Sequence, residues 1–468
     1  MFGPHGVFGR RGEFFPLHPF HPMMNPRSFL RLGFALAVAL VTARAQQVTF
    51  THAHPNAIYA VGDKIAWTVG LPAGATALPG QYTYTIKKDN ADTLKSGEFS
   101  LATGPVTIDF VGTEPAMLYL QVTLPAGSPP PPPTRGNGPR NLAAVAVSPE
   151  RIQPVVPRPA DFDAFWEEKI KLLKAVPENA VVTPAEGGKE GVEYFSVRLN
   201  NINGARVYGQ LAKPAREGKF PALLQMQYAG VYPLQKQWVT DRAAEGWLAF
   251  NVMAHDLPYD KDAAFYSALP AMIRNYNSLY NDNRDRNYFL QMYLGDYRAL
   301  DYLTSRPDWD GRVLVVTGTS MGGQQSFATA GLHPKVTHMM IRVPAGADSN
   351  AALHKRAPSY PNWDRNNPKV METALYFDAV NFAPRIKATS LVGFGFIDPI
   401  SAPTGVWTAF NLIPGAKEAV PMIDAAHDNQ ATPEQLKPYA DRSTEWFKTL
   451  AAGGDVKPDP TRVKPATK

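Results

Sequence analysis

The chain has 468 residues, 44% of them hydrophobic, 11% aromatic and 19% charged, so most of it buries a core instead of staying disordered. Its 36 glycines follow no three-residue period, which excludes a collagen-like helix, and the lack of cysteine excludes disulfides, thiolate metal sites and cysteine nucleophiles. Much of the net charge of +6 sits at the start, where Arg10, Arg11, Arg27, Arg31 and Arg44 stand against Glu13; the rest holds no basic stripe interleaved with aromatics, so nucleic acid is not an expected partner.

Residues 1–45 read as a signal peptide with an upstream extension. Arg27 and Arg31 supply positive charge, Leu32 to Val41 an apolar stretch, and Ala43-Arg44-Ala45 a small-residue cleavage site before Gln46. That stretch is too short to cross a hydrocarbon layer of about 30 Å as a helix. The expectation is export, to the periplasm or the outside, after cleavage near Ala45, with no stable membrane span.

Residues 46–152 read as an all-β, immunoglobulin-like sandwich. Val48 to Phe50, Lys64 to Val69, Gln81 to Ile86, Val106 to Phe110 and Met117 to Val122 alternate or carry β-branched and aromatic residues, with turn clusters such as Pro72-Ala73-Gly74 between them. Ala143 to Val147 serves as a last strand, which makes the proline run Pro129 to Pro133 a loop inside the domain; the other reading is a linker closing the domain near Thr123. Trp67, Tyr82 and Tyr84 have the chemistry to stack on sugar rings, but strand spacing favours the core.

Residues 153–452 read as an α/β layer domain, followed by a flexible tail over 453–468. Asp161 stands in a capping position before an amphipathic helix with Phe162, Phe165, Trp166, Ile170 and Leu173 on one face. Val192 to Val197 and Ala205 to Leu211 open a sheet. Ala222 to Tyr228, Leu248 to Met253, Val313 to Thr317, Thr337 to Val343 and Ser390 to Phe394 are apolar runs of strand length, as in a sheet covered on both faces. Asn287 to Thr304, Gly323 to Ala330 and Gly405 to Leu412 are helical between them.

The most specific local signal is Gly318-Thr319-Ser320-Met321-Gly322, after a strand and before a helix: a nucleophile elbow. Small residues at 318 and 322 let the chain turn sharply and project the serine hydroxyl, and the Met321 backbone N–H sits where it can donate to an oxyanion. A serine hydroxyl needs a base, and this fold class orders its groups as serine, acid, histidine. His255 precedes the serine, His333 and His338 lie too close after it, and His354 falls in an insertion, which leaves His427. Asp398, 78 residues after Ser320 and 29 before His427, ends a strand-like run and is the candidate acid. Asp378 precedes that run and is the rival acid; Asp424 and Asp428 share the histidine's own loop and read as solvated or structural. A second oxyanion donor is expected after the third core strand, at the Val231 backbone N–H or within two positions of it.

These residues carry a resemblance. From about Pro157 to Phe447 the chain is similar to the acetyl xylan esterase/cephalosporin C deacetylase family of carbohydrate esterases, through Pro159-Ala160-Asp161-Phe162-Asp163-Ala164-Phe165-Trp166, Asp296 to Leu303, Ser305-Arg306-Pro307, Tyr376 to Ile386 and Ala409-Phe410-Asn411. The resemblance implies an α/β-hydrolase fold, a serine esterase that removes O-acetyl groups from xylan-type polysaccharide or oligosaccharides, a triad of Ser320, Asp398 and His427, no cofactor and no metal. The departures are Met321 for the usual glutamine, Ala229-Gly230-Val231 for His-Gly-Tyr, and Ala254-His255-Asp256-Leu257 for Arg-Gly-Gln-Gly. The alternatives are another serine hydrolase, such as a peptidase or a glucuronoyl-type esterase, and a carbohydrate-binding protein without turnover. Homo-oligomerisation is left open.

Overall fold

The computed structural model describes residues 47–128 and 138–465; the expected signal peptide, the proline run and the end of the tail lie outside the described residues. No helix among the described residues is long and apolar enough to cross a membrane.

Among the described residues, eight strands come first: β1 (Thr49–His52), β2 (Ile58–Tyr59), β3 (Lys64–Gly70), β4 (Tyr82–Lys88), β5 (Asp92–Phe99), β6 (Val106–Val111), β7 (Ala116–Thr123) and β8 (Leu142–Val147). They form a three-stranded sheet, β1-β3-β6, and a five-stranded sheet, β2-β8-β7-β4-β5. Alternation sets the faces: Ile65, Trp67 and Val69 of β3 point inward and meet Tyr82, Ile86 and Leu120 in one core. Trp67 and Tyr82 are fully buried, so they fill that core and present no sugar-stacking face. Strand β5 escapes sequence reading because it lies at a sheet edge, where Lys95 and Glu98 face solvent and no apolar alternation develops.

The third sheet among the described residues has nine strands: β9 (Val181–Ala185), β10 (Val192–Asn200), β11 (Arg206–Pro214), β12 (Phe220–Gln225), β13 (Leu248–Val252), β14 (Trp309–Thr319), β15 (His338–Arg342), β16 (Thr389–Gly395) and β17 (Lys417–Met422). Their spatial order is β17-β16-β15-β14-β12-β13-β11-β10-β9. The pairs from β17 to β13 are parallel, and those from β13 to β9 are antiparallel. Order reverses between β12 and β14, which makes the carboxyl ends of those strands the crevice where α/β sheets hold ligands.

Among the described residues, ten α-helices accompany the sheet: α1 (Phe162–Ala175), α2 (Gln237–Ala244), α3 (Ala263–Ser267), α4 (Ala271–Arg274), α5 (Tyr288–Ser305), α6 (Met321–Leu332), α7 (Pro368–Ala374), α8 (Ala379–Phe382), α9 (Pro403–Leu412) and α10 (Pro433–Ala451). Strand β14 shows how two layers follow from one strand. Leu314 and Val316 pack with Leu300 of α5, Phe327 of α6 and Val406 of α9, while Val313 and Val315 pack with Val239 of α2 and Trp446 of α10. Period two thus buries both faces, each aliphatic side chain contributing about 1.5–3 kcal/mol. Asp161 does precede α1, but its carboxylate accepts from Tyr376 Oη and from Arg284 rather than capping the helix.

The sandwich is keyed to the layer domain through Asp89, buried in the turn between β4 and β5. Its carboxylate accepts from Met117 N at 3.0 Å and from Thr404 Oγ1 of α9 at 2.9 Å, and it lies 3.5 Å from Arg356. Its carbonyl accepts from Ala357 N at 2.9 Å. Asp89→Ala strands these buried donors and is expected to lower unfolding free energy by about 1–3 kcal/mol. Chemical denaturation of the two proteins side by side checks this, and an unchanged midpoint would contradict the keying.

Candidate active site

The elbow is a backbone problem solved by two missing side chains. Ser320 lies between β14 and α6 with φ 58° and ψ −121°, a conformation that costs a residue with a side chain on the order of 1–3 kcal/mol. A Cβ on Gly318 would collide with the Gly322 backbone, and one on Gly322 would meet the Met226 carbonyl oxygen at 2.9 Å. The turn is held from below: Ser320 N donates to Arg342 O at 3.0 Å, and Ser320 O accepts from Gly323 N at 2.8 Å and Ala345 N at 3.0 Å.

Three chain segments meet above that turn. His427 Nδ1 lies 2.8 Å from Asp398 Oδ2, and its Nε2 lies 3.0 Å from Ser320 Oγ. Ser320, Asp398 and His427 are all buried, at 7%, 3% and 6% exposure, so water screens these contacts weakly. The other carboxylate oxygen, Asp398 Oδ1, accepts from Ile400 N and Ser401 N, both at 2.8 Å, which fixes the carboxylate after β16. An ionised carboxylate only accepts, so Nδ1 carries the proton and Nε2 offers its lone pair to the serine hydroxyl. The histidine loop is set by close packing: a Cβ on Gly395 would collide with the Ala425 carbonyl.

The loop after β12 carries Val231. Neither its N–H nor that of Met321 has a hydrogen-bond partner among the described residues. Gly230, at φ 118°, donates through N to Tyr276 Oη at 3.2 Å and accepts through O from the His255 ring, whose Nε2 is 3.0 Å away. His255 Nδ1 lies 3.0 Å from Tyr288 Oη. Tyr276 Oη also donates to Met321 Sδ at 3.0 Å and lies 2.8 Å from Tyr360 Oη. Burial holds His255 down to a pKa of about 4, outweighing its hydrogen bond to Gly230, and burial raises Tyr276. Of these residues only His255 is marked in the sequence, by the unusual Ala254-His255-Asp256-Leu257; Tyr276, Tyr288 and Tyr360 carry no local signal.

The remaining candidates make none of these contacts. Asp378 caps α8 by accepting from Val380 N and also accepts from Asp348 N and Ser349 N; burial, with Asp348 nearby, pushes it up to about 7. Asp428 pairs with Arg342 at 2.6 Å, and Asp424 is exposed. His333 pairs with Asp301 at 3.2 Å, His338 Nδ1 lies 2.8 Å from Thr337 Oγ1, and His354 is exposed. No cluster of three or more metal-ligating side chains is present among the described residues.

Residues 150–449 match the family model for acetyl xylan esterase (AXE1). The chain is 30% identical over 380 residues to acetyl esterase Axe7A of Xylanibacter ruminicola, covering 78% of this chain and 83% of that protein. Its fold is similar to an acetyl xylan esterase from Paenibacillus sp. R4 (TM-score 0.55, 23% identity, 65% of this chain and 98% of that one). It is likewise similar to acetyl xylan esterase 1 from Thermoanaerobacterium sp. JW/SL YS485 (TM-score 0.53, 22% identity, 64% and 97%). With an α/β-hydrolase sheet behind a β-rich N-terminal part, the chain belongs to the acetyl xylan esterase family and is a carboxylic-ester hydrolase.

Proposed function

We propose that Ser320, His427 and Asp398 are a catalytic triad that removes O-acetyl groups from xylan-type polysaccharide or its oligosaccharides. The observation that carries this reading is the pair of contacts from one imidazole, 2.8 Å to a carboxylate and 3.0 Å to a hydroxyl on a strained elbow. The substrate reading draws on the family and on relatives named acetyl esterase and acetyl xylan esterase.

Ser320 Oγ attacks the acetyl carbonyl carbon while His427 Nε2 takes its proton, giving a tetrahedral intermediate whose oxyanion is bound by the Met321 and Val231 N–H groups. The imidazolium, stabilised by Asp398, hands the proton to the sugar oxygen as the C–O bond breaks, leaving an acetyl-enzyme. Water then loses a proton to His427 and attacks the acetyl carbon; the proton returns to Ser320 Oγ as acetate leaves. On this reading the chain acts after export, with residues 1–45 removed by cleavage near Ala45.

Ser320→Ala is expected to lower 4-nitrophenyl acetate turnover by about 10⁶ if the three residues act as a unit. Asp398→Asn is expected to cost roughly 10⁴ in kcat, since it spoils the tautomer without removing the contacts. Acetate release from acetylated xylan by the purified protein, lost in the serine variant, tests substrate and nucleophile together. A serine variant retaining near-normal esterase activity sinks the triad; full ester turnover with no acetate from xylan sinks the substrate.

A further inference from the structure

The Gly230–Val231 peptide is gripped at its carbonyl end. We infer that His255 is a positioning residue for the reaction: by holding the Gly230 carbonyl it aims the Val231 N–H at the developing oxyanion. The inference rests on the reading that Ser320 is the nucleophile and Val231 N–H an oxyanion donor.

A peptide group is planar and trans, so its C=O and the following N–H point in opposite directions. Whatever fixes the Gly230 carbonyl therefore fixes the Val231 N–H. His255, buried just beyond the end of β13, puts Nε2 3.0 Å from that carbonyl oxygen. A carbonyl only accepts, so Nε2 must carry hydrogen. Nδ1 of the neutral ring is then a lone pair, and Tyr288, 3.0 Å away, supplies the O–H that it accepts. The tyrosine thus selects the one tautomer able to hold the peptide. Burial keeps the ring neutral, with its pKa near 4, so this arrangement persists through the neutral range.

The other side of Gly230 is tied to the elbow. Its N–H donates to Tyr276 Oη at 3.2 Å, and Tyr276 donates in turn to the Met321 side chain at 3.0 Å. The His255 ring packs edge-on against Tyr276, centroids 4.6 Å apart. Both proposed donors therefore share one buried network, while their N–H groups have no hydrogen-bond partner among the described residues. A peptide free to rotate about Gly230, where glycine opposes rotation least, would lose that alignment. A preorganised donor stabilises the charge that forms in the transition state and leaves ground-state binding largely alone, so the effect belongs in kcat.

Two amides separate the peptide grip from mere packing. His255→Gln keeps a donor long enough to reach the Gly230 carbonyl; His255→Asn keeps a polar partner for Tyr288 but falls short of Gly230. With 4-nitrophenyl acetate the asparagine variant is expected to lose about 10²–10³-fold in kcat, the size of effect of losing one oxyanion donor, with KM within threefold. The glutamine variant is expected to recover at least tenfold of that loss. Thermal unfolding of both variants is read alongside, and Tyr288→Phe, which leaves Gly230 untouched but releases the tautomer, is expected to lower kcat in the same direction. Equal kcat for the two amides when both unfold cooperatively, an asparagine variant within threefold of wild type, or a loss confined to KM would each overturn the inference. These outcomes are distinct from failure of the triad reading, which Ser320→Ala reports separately; if asparagine prevents folding, a Tyr288→Phe protein with unchanged kcat overturns the inference alone.

Discussion

One imidazole spanning a carboxylate and a hydroxyl governs the arrangement of the rest. The three residues lie on segments 78 and 29 positions apart, and only a sheet whose strands deliver their carboxyl ends to one rim brings them within 3.0 Å. Parallel pairing from β17 to β13 does this: β14 leads to Ser320, β16 leads to Asp398, and β17 leads to His427. Each segment is then trimmed locally, by the glycine pair at the elbow, by two backbone donors on Asp398, and by Gly395 where the histidine loop crosses β16. The strain at Ser320 is tolerated because buried hydrogen bonds and close packing determine the turn from every side.

What could be read from the sequence follows from how local the physics is. The elbow is local: strand, tight turn and helix are adjacent, and Gly318 and Gly322 state their reason in five residues. Asp398 and His427 followed from chain order and from the positions of the other histidines, and fully buried runs such as Val313 to Val316 declared the covered sheet. The exposed edge strands β5 and β9 did not declare themselves. Strand β9 is exposed along its whole length and β5 along most of it, so neither carries an apolar period. Helix α10 carries its start signal in the sequence, Thr432 with Pro433 and Gln435 in a reciprocal capping arrangement. The tyrosine–histidine network was illegible because Gly230, His255, Tyr276 and Tyr360 come from separate loops, and loops have no period to betray which residues converge.

The N-terminal sandwich is part of the same mechanical unit. Asp89 binds Thr404 at the start of α9, the helix that follows Asp398, and Asn411 at the far end of that helix donates to the carbonyls of Pro149 and Ile152. Tyr119 of β7 is buried and within electrostatic range of Asp398. Of the three aromatic residues with sugar-binding chemistry, Trp67 and Tyr82 are spent on the sandwich core and Tyr84, partly buried, packs against it. The sandwich is therefore hydrogen-bonded to both ends of the helix that follows the acid.

The most direct measurement is covalent labelling of the purified protein with a fluorophosphonate, followed by intact mass and peptide mapping. The account predicts a single adduct, on Ser320, with esterase activity falling in proportion to the labelled fraction. An adduct on another residue, or full ester hydrolysis by quantitatively labelled protein, would contradict it.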